Sequence, residues 1–370
     1  MTHPLRLKRL QELLATQNLA AIALVPGPNM VYFTGLHFHL SERPTVVIFP
    51  REPGQTPAII LPVLEADKPD SAPIKFQKFI YTDEQGPTIA FQQACNALKL
   101  KGAWLGVEGR RMRVLETHYF DEFAAGIKFE MAEPVIAQLR MKKDETELAH
   151  TRQAVAIAER ALAETLPYVK AGATEREVAS ELMVRLYRAG SHELPFQPII
   201  ASGPNGSLPH AFITDRKIQS GDLVTIDWGA NVNGYFSDLT RTYAIGEVDA
   251  ELRKIYELVK EANAAGRAAA APGKTGQDVD RAARTVINAA GYGQYFTHRT
   301  GHGLGLEGHE EPDMKEGQTM PLEPGNLFTV EPGIYLPGKG GVRIEDNVAI
   351  TTDGAETLST LPRDFSRLDQ

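Results

Sequence analysis

The chain has 370 residues, which at roughly 100–200 residues per domain suffices for about two domains and a sizeable core. Its formal net charge of −8, without any basic cluster, speaks against nucleic acid or an anionic membrane surface as a partner. A hydrophobic fraction of 42% excludes wholesale disorder, and Cys95, the sole cysteine, excludes intrachain disulfides and cysteine-rich zinc modules.

The first ten residues interleave apolar and charged side chains, as an amphipathic helix does and a targeting leader does not. The apolar run at 19–25 is too short to cross a bilayer and stops at Pro26, so a cytoplasmic protein is expected. Strands are expected at 21–25, 45–49, 58–61, 74–80 and 103–107, with helices at 5–16, 88–100 and 114–124. Strands alternating with helices indicate an α/β domain. The texture changes near Leu139, which divides the chain into domains at 1–138 and 139–370. A long helix is expected at 144–169, and Thr174 with Glu177 forms a capping box for a second one ending near Gly190. A strand at 196–202 and a hairpin at 222–245 come next, then helices at 249–271 and 275–290 and a second β pair at 326–352.

The second half repeats itself. Gly221-Asp-Leu-Val-Thr-Ile-Asp227 aligns with Gly325-Asn-Leu-Phe-Thr-Val-Glu331, and each copy follows two helices and precedes a returning strand with an acid, Asp238 or Glu345. Alternation puts Thr225, Asp227 and Gly229 on one face of the first strand. If Asn233-Gly234 is the two-residue turn, paired residue numbers sum to 467 and Asp238 is a diagonal same-face neighbour of Asp227. A slip of one residue would separate them. Glu331 and Glu345 lie an even 14 apart, which permits one face with an odd-length loop, although Pro332-Gly333 leaves their register open.

Four acids aimed at one interior point repel one another unless cations sit among them. Four negative charges match two divalent ions. His302, in Thr300-Gly-His-Gly-Leu-Gly305, offers an imidazole beside glycines that permit a crowded backbone. This hard, oxygen-rich set suits manganese best, with cobalt or zinc also accommodated. Two metals about 3.5–4 Å apart activate a bridging water and polarise a carbonyl, which is hydrolytic chemistry.

Ile226-Asp-Trp-Gly229, Ser237-Asp-Leu-Thr-Arg-Thr242, Thr300-Gly-His-Gly-Leu-Gly305, Val330-Glu-Pro-Gly333 and Val342-Arg-Ile-Glu-Asp346 together resemble the signature of the pita-bread metallopeptidases, the family of methionine aminopeptidase, aminopeptidase P and prolidase. The resemblance implies an α+β fold: a C-terminal pita-bread domain with an internal helix–helix–hairpin duplication, preceded by an α/β creatinase-type N-terminal domain. It implies that Asp227 and Asp238 chelate one metal, that Asp238 and Glu345 bridge, and that His302 and Glu331 complete the second sphere. Glu331 is then also the general base. His210 and His309 match two histidines that hold substrate and stabilise the tetrahedral intermediate, Arg343 orients neighbouring carboxylates, and Thr240 and Arg241 support the ligands from behind. His298 is read as structural, and His37 and His39 as exposed loop residues that in this family can reach a partner's site. A homodimer is expected from the resemblance alone.

An N-terminal domain argues against methionine aminopeptidase, and an intact ligand set argues against creatinase and against a non-catalytic binding paralogue. An Xaa-Pro peptidase acting on short proline-containing peptides remains. Its compact length favours a dipeptidase of the prolidase type over aminopeptidase P, which acts on longer Xaa-Pro-Xaa peptides.

Overall fold

The computed structural model describes residues 2–368. The chain divides into two compact units, Met1–Arg140 and Met141–Gln370. The first contains α1 (His3–Ala15), β1 (Ala21–Leu24), α2 (Pro28–Thr34), β2 (Val46–Pro50), β3 (Ala58–Pro62), β4 (Gln77–Tyr81), α3 (Thr88–Ala97), β5 (Trp104–Val107), α4 (Val114–Phe123), β6 (Lys128–Met131) and α5 (Glu133–Arg140). A mixed six-stranded sheet in the order β4-β3-β2-β1-β5-β6 organises it. The central strands β1, β2 and β3 are buried throughout, as their uninterrupted apolar runs require. Two differences from the sequence reading have clear causes. The strand expected from residue 74 begins at Gln77, after Pro73 and the apolar but non-strand Ile74. Strand β6, Lys-Phe-Glu-Met, escaped notice because a largely exposed edge strand needs little apolar patterning.

The second unit contains α6 (Glu145–Thr165), α7 (Glu175–Ala189), β7 (Ile199–Ser202), β8 (Leu223–Trp228), β9 (Asn231–Val232), β10 (Tyr235–Phe236), β11 (Leu239–Ala244), α8 (Ala250–Ala269), α9 (Gly276–Ala289), β12 (Gly301–Gly303), β13 (Glu310–Met314), β14 (Leu327–Val330), β15 (Gly333–Leu336), β16 (Gly340–Arg343), β17 (Asp346–Ile350) and β18 (Ala355–Thr357). The duplication is visible in its hydrogen bonds. Thr174 and Thr275 cap α7 and α9 with matching capping boxes. Gly221 and Gly325 both take positive φ, 94° and 92°, a backbone shape that favours glycine, just before their strands. Asp222 and Asn326 then accept from the amide three residues back, Gln219 at 2.8 Å and Glu323 at 2.7 Å.

Each hairpin backs onto a pair of helices. Val224, Ile226 and Trp228 pack with α6 and α7, and the Trp228 indole donates to the Ala158 carbonyl at 2.9 Å. In the second half Ile334, Val342 and Ile344 pack with α8 and α9. The outward faces of the two hairpins meet, and Glu345 N donates to Thr240 O at 3.1 Å across the junction. No helix among the described residues is long and apolar enough to cross a membrane.

Candidate metal centre and cleft

Strand register delivers the acids. Asn233 and Gly234 both have positive φ, forming the tight turn, and Tyr235 pairs with Val232. The same register continues through β8 and β11, with Thr240 opposite Asp227, so Asp238 is the diagonal neighbour on that face. In the second half Leu327 pairs with Ala349 and Val330 with Asp346, and beyond Pro332 the pairing resumes unshifted at Gly333 and Arg343. Glu331 and Glu345 therefore face each other directly, not diagonally. His302 lies on β12, wedged between β13 and β14; a Cβ on Gly301 would sit 1.8 Å from the Thr329 carbonyl oxygen.

Ligand-type atoms of Asp238, His302 and Glu345 all lie within 4.8 Å of one another. His302 Nε2 is 3.2 Å from Glu331 Oε1 and 3.8 Å from Asp238 Oδ2. Asp227 turns Oδ2 to Arg343 Nη2, while its Oδ1, like Glu345 Oε1, is buried without a hydrogen-bond partner. Burial, then the charges of Asp227 and Glu331, pushes the Asp238 carboxyl well above its ordinary pKa. Burial and the charge of Asp238 do the same to Glu345. Burial also raises Asp227, against the pull of Arg343. For Glu331 burial acts upward but is outweighed by the His302 hydrogen bond and by the charges of His302, His298 and Arg343, which hold it at about 2. The centre is short of positive charge, and its orphaned oxygens are ligand-type atoms with nothing to bind. Carboxylates plus one imidazole fit a hard or borderline divalent cation.

Neighbouring groups hold these side chains in place. Thr240 Oγ1 donates to Glu345 Oε2 at 2.7 Å and accepts from Arg343 Nε at 3.2 Å. Arg343 also donates to Tyr335 Oη at 2.8 Å and to the Pro209 carbonyl at 3.1 Å. Arg241 points away from the acids, holding the carbonyls of Thr240 and Glu345 at 2.8 and 2.7 Å and pairing with buried Asp346. Asn347 clamps both backbone groups of Asp238, and Asp280 accepts from the amide and hydroxyl of Thr300, two residues before His302. Buried Glu175 accepts from Ser202 and Thr214, which bracket the segment carrying His210.

A cleft of about 560 Å³ opens onto the centre. Asp227, Asp238, His302, Glu331, Arg343 and Glu345 line it, as do His210 and His309 nearer solvent. The His309 ring meets His302 edge-on at 4.2 Å, and burial of its inner side, then the charges of His302 and Arg299, pushes its pKa down to about 4. Thr240 and Arg241 stand behind the lining. His37 and His39 are exposed in the first unit.

Arg299 in the cleft wall, and Tyr335 behind it against Arg343 and His298, escaped the sequence reading. His298, read as structural, stands in the wall with Nε2 2.9 Å from Tyr335 Oη. Tyr335 was findable: alternation from Glu331 through Gly333 puts it on the face of the acids, opposite Gly341. Arg299 carried no signal beyond its place next to Thr300.

Residues 149–352 match metallopeptidase family M24, and residues 6–142 match the creatinase/prolidase N-terminal domain. The chain is 44% identical to the uncharacterized peptidase YqhT of Bacillus subtilis over 62% of its own length and 65% of that relative's, just under two thirds of it. It is 35% identical to the probable dipeptidase PepE of Mycobacterium bovis over 95% of its length and 92% of PepE's. The prolidase structure from Thermococcus sibiricus superimposes with a TM-score of 0.93 at 34% identity, covering 99% of each chain. The duplicated hairpins, the acids they carry and these similarities agree: the chain belongs to metallopeptidase family M24, the pita-bread peptidases, and carries a creatinase-type N-terminal domain.

Proposed function

We propose that this peptidase is a dinuclear Xaa-Pro dipeptidase, with residues 139–370 as catalytic domain and 1–138 as N-terminal domain. Asp227 and Asp238 would hold one divalent cation, His302 and Glu331 the other, with Asp238 and Glu345 shared; manganese suits this donor set best. The observation that carries the reading is the convergence of four buried ligand-type side chains and the partly buried Glu331, with two carboxylate oxygens lacking any hydrogen-bond partner. The names of the similar dipeptidase and prolidase support the substrate class.

Bound cations supply Lewis acidity, lowering the pKa of water and polarising the scissile carbonyl. Glu331, kept ionised at neutral pH, takes a proton from the attacking water. The water oxygen joins the carbonyl carbon, the C–N bond breaks, and the proton passes to the prolyl nitrogen. His309, neutral at pH 7, donates to the oxygen on which charge develops, and His210 holds the substrate from the rim. Arg343 fixes Asp227. A prolyl nitrogen carries no hydrogen and its ring fixes φ, so the ring must be accepted by shape, for which Pro195 and Phe196 offer an apolar wall. Homodimerisation belongs to the proposal on family likeness alone, and a cytoplasmic site of action on the expectation drawn from the sequence.

Chelation should abolish hydrolysis of an Xaa-Pro dipeptide and Mn²⁺ should restore it; an equally active metal-free protein overturns the metal's role. Comparing Xaa-Pro with Xaa-Pro-Xaa at equal metal loading separates dipeptidase from aminopeptidase P, and preference for the longer peptide would favour the latter.

A further inference from the structure

His210 lies on the strand-free segment 203–213, and a single buried side chain ties the two ends of that segment together. Glu175, the first residue of α7, is fully buried. Its Oε1 accepts from Ser202 N at 2.8 Å and from Ser202 Oγ at 2.7 Å. Its Oε2 accepts from Thr214 N at 3.2 Å and from Thr214 Oγ1 at 2.6 Å. Asn205 Nδ2 donates to both oxygens, at 3.0 and 3.1 Å. Leu208 and Phe212, on either side of His210, are 58% and 85% exposed, so neither anchors it. A further fixed point is the Pro209 carbonyl, held by Arg343 Nη1 at 3.1 Å.

The two hydroxyls have no freedom to turn away. Ser202 Oγ accepts from Arg216 Nη1 at 2.7 Å, and Thr214 Oγ1 accepts from Asn205 Nδ2 at 3.2 Å and from Arg216 N at 3.1 Å, so each points its hydrogen at Glu175. All the groups bonded to the carboxylate are therefore donors. An amide in its place sets N–H against N–H whichever way it is turned, facing Ser202 N on one side or Thr214 N on the other. A buried mismatch of that kind costs more than the bond it replaces. The second half repeats the device: Asp280, on α9, accepts from Thr300 N at 3.1 Å and from Thr300 Oγ1 at 2.7 Å, two residues before His302. There the histidine held in place offers a ligand-type atom; in the first half it stands at the rim of the cleft.

We propose that Glu175 is a positioning residue for the peptidase reaction: by fixing both ends of segment 203–213 it sets where His210 meets the substrate. The proposal rests on the Xaa-Pro reading above and on the role given there to His210. Glu175 is not among the residues lining the cleft, and its hydrogen bonds go to none of the five ligand-type side chains. Loosening it therefore weakens the hold on substrate and leaves the metal in place. With one end of the segment released, the substrate must itself order His210, at a cost of about tenfold in KM.

The test measures the wild-type enzyme, Glu175→Gln, His210→Ala and the double variant on one Xaa-Pro dipeptide at equal Mn²⁺ loading, together with hydrogen exchange of the 203–213 amides. The backbone of α7 stays bonded to this region in every variant, through Glu175 N to Arg216 O at 3.1 Å and Arg176 N to Thr214 O at 3.2 Å, so the fold should survive. Should Glu175→Gln fail to fold, Thr214→Val removes one of the donors and carries the same test, with Thr214→Ser as its rescue. Glu175→Gln should raise KM about tenfold, with kcat within about threefold and metal content unchanged. Exchange should quicken over 203–213 and stay the same in β8. His210→Ala should raise KM at least as much, and the double variant should match His210→Ala within about twofold, because the two residues act as one. Additive losses, an unchanged KM or exchange rate, or loss of metal overturn the assignment. Such a result in an enzyme that still cleaves Xaa-Pro leaves the Xaa-Pro reading standing; no wild-type cleavage of any Xaa-Pro bond removes that reading itself.

Discussion

Thr240→Val probes the centre without touching a ligand-type atom. Thr240 is fully buried on β11, opposite Asp227, and its hydroxyl sits 2.7 Å from Glu345 Oε2. Glu345 Oε1 has no partner, so this hydroxyl is the sole hydrogen-bond donor to that carboxylate among the described residues. Valine keeps the shape and removes the donor. A hydrogen bond to a charged group is worth about 1.5–3 kcal/mol, and about 1.4 kcal/mol is a factor of ten. Mn²⁺ affinity should therefore fall about tenfold to a hundredfold, the range typical of groups that orient metal ligands. Competition titration against a chelator measures it, and kcat at saturating metal should return to within several-fold of wild type. Thr240→Ser, which retains the hydroxyl, should restore affinity. A valine variant that binds Mn²⁺ within twofold of wild type would refute either the ligand role of Glu345 or the part given to Thr240.

His309→Ala should keep its full metal content while kcat falls about a hundredfold to a thousandfold, the cost of losing one donor to a developing oxyanion; loss of metal by elemental analysis would make His309 a ligand instead. Asp346, buried among Arg241, Arg267 and Arg363, offers a pH test. Burial acts to raise its pKa, but Arg241 and Arg363 hold it below the ordinary carboxylate value. A lowered folded pKa means that its contribution is present above the unfolded value near about 4 and is lost as pH falls through the folded one. Asp346→Asn should lower stability by about 3–5 kcal/mol at pH 7 in denaturant melts, since it leaves buried guanidinium charge uncompensated, and the deficit should shrink in acid. A variant melting like wild type at pH 7 contradicts this.

The legible part of the site is that carried by local rules. The Asn233-Gly234 turn sets register because both residues tolerate positive φ, and the pairing it implies runs unchanged from Val232 to Leu223. The second hairpin was less legible because Pro332 interrupts the ladder hydrogen bonds, yet its register survives the interruption. His298, read as structural, has both ring nitrogens engaged, by the Arg299 carbonyl and by Tyr335, 37 residues away; its place in the cleft wall had no periodic signal to announce it.

Sequence by itself determined the duplication, the face that Asp227 and Asp238 share, and the family, because alternation, turn chemistry and motif order are properties of neighbours along the chain. Only the tertiary structure decided which side chains hold those acids in place and what else faces them. Asn347 on Asp238 and Thr240 on Glu345 join strands more than a hundred residues apart. Arg299 beside His309 depends on how the Thr300 segment lies against β13. Such contacts arise when two separately legible halves close on each other, and no local pattern encodes that closure.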